Sequence, residues 1–409
     1  MRFLISATAF LYLLSGPATA TEVNDLLTRH LYAGTLSQGG SEMESFTQSG
    51  DKAVAAEAQA ARGILEFVSS IEKLGQALHR HGLQTPQSAM MQLPILRLPV
   101  PPNPNPEQLD YPKYRAILRE LLDGLIKAEA TLAAADGAGV KFAFDLLKVR
   151  LDLDGDGKAG DHESLGAMMR QLMRASDPVS AEMLFTFDAA DILWLRGYSQ
   201  FIMAAAQFGL AHDFHQTFDK TFHVFFPNAG LPLAIDLTRQ PSLGRMPSEA
   251  AIGDFIAFIH LFNWPVMEPE RLADSRLRLK AIAQLSRESW QAARAETDND
   301  REWLPNAKQT GTFASLPASD ATIDGWLAVM KEFELVLDGE KLLPHWRFDR
   351  GLNVKRLFTE SKNFDLVLLL AGTDAVPYLE DGPISTTADW DNLTSVFRGN
   401  FLGYAIWYN

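Results

Sequence analysis

The chain contains no cysteine among its 409 residues. No disulfide staples it and no thiolate serves as nucleophile or metal ligand, so every thiol mechanism is excluded. Positive charge is scarce as well: 37 Lys and Arg stand against 51 Asp and Glu, a formal net charge of -14. Such a surface disfavours unspecific binding to nucleic acid or anionic lipid. No Gly-x-Ser-x-Gly elbow, phosphate-binding Gly-Lys loop or dinucleotide fingerprint occurs, so the common hydrolase and nucleotide-binding chemistries lack their sequence signals. No internal repeat is evident.

Apolar residues, in contrast, are plentiful. A hydrophobic fraction of 47% over this length is enough to bury a large core without external staples. Residues 1–20 have the pattern of a secretory signal, with Arg2 for charge, Phe3 to Leu14 as the apolar stretch and Ala18-Thr19-Ala20 as a small-residue cleavage site. The apolar stretch is short for an anchor and is broken by Gly16 and Pro17. The expectation is an exported protein, with the periplasm favoured by the lack of disulfides and secreted or envelope-associated forms as alternatives.

The most informative segment is Asp152-Leu153-Asp154-Gly155-Asp156-Gly157-Lys158-Ala159-Gly160-Asp161-His162-Glu163. Calcium takes about six to eight oxygens, and a short loop supplies them only by folding back on itself. Asp152, Asp154 and Asp156 fall at loop positions one, three and five, and Gly157 falls at the sharp turn of position six. Lys158 would offer its backbone carbonyl at position seven, Gly160 would leave position nine to water, and Glu163 would close the cage with two oxygens. These residues resemble the calcium loop of an EF-hand. The resemblance, over about residues 140–173, implies calcium as the cofactor.

The flanks are expected to be helical: Val140 to Leu151 as the entering helix, and Leu165, Met168, Met169 and Leu172 as the face of the exiting one. Met168, Met169 and Met173 could offer an adaptable surface to a partner, although packing in the core is the favoured reading. A dockerin-type repeat uses similar loops, but in tandem, and only one is present here. An unpaired loop of this kind suits dissociation constants of about 0.1 to 1 mM, typical of extracellular calcium modules. Its five acidic residues repel one another when no metal neutralises them.

Along the rest of the chain, residues 21–50 are rich in Ser, Thr, Gly and Glu and are expected to form a partly ordered lead-in. The remainder, 51–409, reads as a mostly α-helical, bundle-like globule, with possible division into 51–176 and 177–409 at the Asp177-Pro178 break. Asp51 to His79 reads as an amphipathic helix. Leu98 to Pro112 holds six prolines and reads as an extended connector, after which Asp110 caps a helix running towards Ala135. Ala189 to about Phe226 reads as one strongly apolar helix; Arg196, Gln200 and Gln207 interrupt it, which favours a buried core helix over a membrane span. Further helices are expected at Glu249 to Phe262, Pro269 to Ala295 and Ala321 to about Leu337. The C-terminal part is less regular, and Leu366 to Leu370 fits a short buried strand or a turn of helix.

A second constellation is His212, His215, Asp219 and His223. Spacings of three, four and four place them within about 80° on one face of a continuous helix, where His and carboxylate hold zinc or iron if a neighbouring element completes the set. His260 and His345 are candidates for that completion. A polar stripe beside Phe214, Phe218, Phe222 and Phe225 is the competing reading, since neither His-Glu-x-x-His nor Glu-x-x-His is present.

Glu296, Asp298, Asp300 and Glu302 form an acidic cluster that fails as a calcium loop, because Arg301 takes the glycine position; it reads as an exposed helix end. Asp188, Asp191 and Arg196 in an apolar segment would need partners in the core or would line a pocket. The segments Phe187 to Tyr198, Glu296 to Asn306 and Phe401 to Asn409 are similar to exported bacterial proteins of unknown function. That resemblance adds no mechanism. The sequence therefore predicts an exported calcium-binding helical protein, with calcium in a structural or modulatory role and a protein or small-molecule partner left open. The alternative is a metal-dependent periplasmic enzyme built on the histidine face.

Overall fold

The computed structural model describes residues 20–84, 96, 98–135, 139–173, 182–233, 247–312 and 316–408. The predicted signal segment lies outside these residues except for Ala20, as does the Asp177-Pro178 break. The fold is mostly α-helical, with short antiparallel strand pairs.

Residues 21–50, expected as a partly ordered lead-in, are mostly helical. They form α1 (Ala20–Ala33) and α2 (Leu36–Thr47), whose Val23, Leu27, Leu31, Leu36 and Met43 are buried in the main core. The polar composition of this stretch hid a sparse apolar stripe that packs on the next helix. That helix, α3 (Lys52–Arg80), starts where the sequence places it: Asp51 accepts the Ala53 N–H, satisfying one of the donors a helix N-terminus leaves free. The proline-rich connector is extended and pinned, with Glu107 N–H donating to the Arg80 carbonyl and Leu109 N–H to that of Ala229. Asp110 then caps α4 (Tyr111–Ala133) by accepting the Lys113 N–H.

The expected helix at Val140 to Leu151 is absent. In its place stand β1 (Lys141–Asp145) and a 3-10 turn, Leu146–Lys148, started by Asp145. Phe142 and Phe144 alternate with Lys141 and Ala143, a period of two that β-branched and aromatic residues favour and a helix cannot bury on one side. After the acidic loop comes α5 (Leu165–Met173), the exiting helix that the sequence predicts.

Next, β2 (Leu184–Asp188) pairs antiparallel with β1, setting Phe142 opposite Phe187 and Phe144 opposite Phe185. The strand leads directly into α6 (Ala189–Ala211). The long apolar helix expected to run on to Phe226 ends here, and α7 (His215–Thr221) and a 3-10 turn follow after a break at residues 212–214. The polar residues of α6 face partners. Arg196 pairs with Glu129 on α4 at 2.9 Å, while Gln207 donates to Asp274 at 2.7 Å. No helix among the described residues is long and apolar enough to cross a membrane.

Asp274 belongs to α9 (Pro269–Ala295), which follows α8 (Pro247–His260) and β3 (Asn263–Pro265) and packs along α6. Then come α10 (Asp320–Leu337), β4 (Leu343–His345), β5 (Phe348–Leu352), α11 (Val354–Glu360), β6 (Asn363–Asp365), α12 (Leu366–Ala371), β7 (Leu379–Glu380), α13 (Thr387–Thr394) and α14 (Phe401–Tyr408). Leu366 to Leu370 is thus helical, and it is not buried. The larger core cluster joins α1 to α3, the β1–β2 pair, α9, α10 and α14, drawing on residues from both sides of the sequence division at 176. A second cluster gathers the end of α3, α4 and the Phe214, Phe218, Phe222 and Phe225 face.

Candidate metal centre

The acidic loop is wedged between α3, the α1–α2 corner and α5. Its mouth is closed by a short antiparallel contact: Leu151 N–H donates to the Glu163 carbonyl and Leu165 N–H to that of Val149. Gly155 and Gly157 both have left-handed backbone, φ 75° and 87°, which side-chain-bearing residues resist and which lets the chain double back. The aspartates hold this path. Asp152 accepts the N–H groups of Gly155 and Gly157, Asp154 that of Asp156, and Asp156 that of Lys158.

Oxygens of Asp152, Asp154 and Asp156 lie within 4.8 Å of one another, and an Asp154 oxygen shares the same limit with Glu163 and His162. Glu163 is only 1% exposed, and its carboxylate is turned into the loop. Its Oε1 accepts from Leu153 N–H at 2.8 Å and its Oε2 from Gly160 N–H at 2.8 Å. Oxygens at opposite sides of one hard cation stand at most about 5 Å apart, so the spacing of the three aspartates fits a single such ion. The donor set of these three residues is all oxygen. Asp161 pairs with Arg150 at 2.6 Å. Met168 is buried in the core, as its packing reading predicts.

Two residues of α3 that sequence reasoning did not single out complete the surroundings. Glu72 Oε2 accepts the Asp152 N–H at 2.8 Å, and Gln76 donates to the Asp152 carbonyl at 2.8 Å. Burial, together with the charges of Asp152 and Glu163, pushes the Glu72 carboxyl up to about 7. Gly34, at the α1–α2 corner, touches Ala159 from the other side. No local pattern announces Glu72, because its role exists only once the loop packs on the helix.

The histidines are spread over different surroundings. His212 caps α6, fully buried, with Nδ1 on the Phe208 carbonyl at 2.7 Å. His215 stacks on Tyr111 and pairs with Asp219 at 3.2 Å on the surface. His223 is buried next to Asp254 at 3.4 Å. Because the helix breaks between His212 and His215, the four residues do not share one continuous helical face. His215 and His260 line the same cleft of about 660 Å³ beside Trp264, whereas His345 sits among Trp346, Phe348 and Leu369.

Phe187 to Tyr198, Glu296 to Asn306 and Phe401 to Tyr408 converge. Trp194 of α6, Trp303 and Trp407 of α14 meet in one aromatic cluster, and the Trp194 indole donates to the Trp407 carbonyl at 2.8 Å. This packing brings Asp188 and Asp191 to Glu296 and Glu302. The acidic stretch after α9 is therefore only partly an exposed helix end: Asp298 and Asp300 face solvent and hold Lys141, both at 2.6 Å, but Glu302 is 2% exposed.

No family model matches this chain, and no curated protein or solved structure matches it. The functional reading rests on the geometry of the site.

Proposed function

We propose that the protein is an exported, helical calcium-binding protein in which one calcium ion at Asp152, Asp154, Asp156, the Lys158 carbonyl and Glu163 fastens the loop against α3. The observation that carries this is the set of three aspartates within 4.8 Å of one another, with the buried Glu163 within the same distance of Asp154, on a loop bent by two left-handed glycines. The loop resembles that of an EF-hand, but its entering flank is a strand and a 3-10 turn, so the ion would not set an angle between two helices. It would instead draw together α3, the α1–α2 corner and the start of α5, in support of a binding or interaction role.

The stabilisation this implies is modest. At calcium about ten times its dissociation constant, linkage gives about 1.4 kcal/mol. The test is thermal melting of the mature chain in calcium and in chelator, with Glu163→Gln as control. Calcium raises the wild-type midpoint by more than it raises that of the variant; equal shifts in the two chains, or equal melting of the wild type in both conditions, reject the proposal.

A further inference from the structure

The buried end of β2 carries more negative charge than helix capping explains. Asp188 accepts the Ala190 N–H, and Asp191 Oδ2 accepts the Asp188 N–H at 3.0 Å, the ordinary reciprocal cap of a helix start. Glu296 and Glu302 play no part in that cap, yet one oxygen of each lies within 4.8 Å of an Asp188 oxygen. Asp191 is 2% exposed and feels the charges of all three, and its second oxygen, Oδ1, is buried with no hydrogen-bond partner. A buried polar atom without a partner is costly, and a buried charge without one more so.

The neighbouring cation does not resolve this. Lys141 is engaged by Asp298 and Asp300, outside the inner four. Gln309 donates to Glu296 at 3.1 Å and Asp300 N–H to Glu302 at 2.9 Å, which leaves further carboxylate lone pairs in the cluster.

We propose that Asp188, Glu296 and Glu302, with the buried and unpartnered Oδ1 of Asp191 in the same acidic cluster, form a second site for a hard divalent cation. The all-oxygen donor set excludes a preference for soft metals, and the mutual spacing fits one ion. The ion would bolt the start of α6 to the segment after α9, directly beside Trp303. This site does not depend on the acidic loop.

Equilibrium dialysis of the full mature chain with calcium alone, repeated with magnesium and manganese alone, tests it. In the Glu163→Gln background one cation per chain remains bound, with quenching or enhancement of tryptophan emission. Adding Glu296→Gln, or in a separate chain Glu302→Gln, weakens that binding at least about tenfold. Both changes remove repulsion, so circular dichroism shows a cation-free melting midpoint as high as or higher than the parent, which separates lost ligation from lost folding. Absence of binding by all three cations in the Glu163→Gln chain, or binding unaffected by both substitutions, overturns the proposal.

Discussion

Glu72 on α3 and Asp152 at the head of the acidic loop are eighty residues apart in sequence, yet the Glu72 carboxylate accepts the Asp152 backbone N–H at 2.8 Å. The bond fixes the first residue of the loop to the longest helix of the core. Glu72→Ala leaves that N–H without its acceptor, a loss of about 1 to 3 kcal/mol when the group stays dry. Calcium affinity is expected to fall about fivefold, equivalent to about 1 kcal/mol, in a calorimetric titration. Glu72→Gln retains an acceptor oxygen and should fall less.

Packing on the same helix is equally close. A Cβ added to Gly75 would run into the Leu153 side chain, which is itself buried. Gly75→Ala is therefore expected to destabilise by about 1 to 3 kcal/mol despite its better helix propensity, because the core has no slack for an added methyl. Pairing it with Leu153→Ala should recover part of the loss. Urea denaturation of the three chains measures this, and a stabilised Gly75→Ala would show that the loop does not press on α3.

A pH effect follows from Glu57 on α3. Burial, helped by the charge of Asp51, raises its carboxyl above the usual carboxylate range, and its Oε2 has no hydrogen-bond partner. The folded state thus favours the protonated form. That contribution is fully present below the unfolded-state value and is lost as pH rises through the folded one. Glu57→Gln should match the wild type in stability at about pH 4 and exceed it at about pH 7.5. Urea midpoints at the two pH values decide; a variant less stable at the higher pH would mean that the charge has a partner in solution.

The aromatic cluster makes the C-terminal helix part of the core. Trp407 is buried, packs tilted against Trp303 at 4.4 Å between ring centroids and accepts the Trp194 indole N–H through its carbonyl. Trp407→Ala should cost about 3 to 5 kcal/mol, the range for a large aromatic truncated in a packed interior. Chemical denaturation followed by circular dichroism measures it, and a loss below about 1 kcal/mol would show α14 to be peripheral.

The sequence was most legible where a local rule acts alone. Asp110 announced its helix as a cap, and Pro269 opened α9 at its first turn. It was least legible where two periods competed or where the partner was remote. Val140 to Leu151 is apolar enough for a helix, but Phe142 and Phe144 alternate into a strand opposite Phe187 and Phe185. The run from Ala189 shows no breaker at His212, and the helix ends there because Arg115 on α4 takes the carbonyls of Leu210 and His212, both at 2.8 Å. Glu72 and the Asp188–Glu296 juxtaposition belong to tertiary structure and leave no local trace.

The most direct test of the calcium reading is a calorimetric titration of calcium into the mature, metal-stripped chain, run side by side with Glu163→Gln. The account predicts a binding event with a dissociation constant of about 0.1 to 1 mM that is missing from the variant, because one carboxylate closes the cage. An isotherm identical in both chains would place any calcium elsewhere and contradict it.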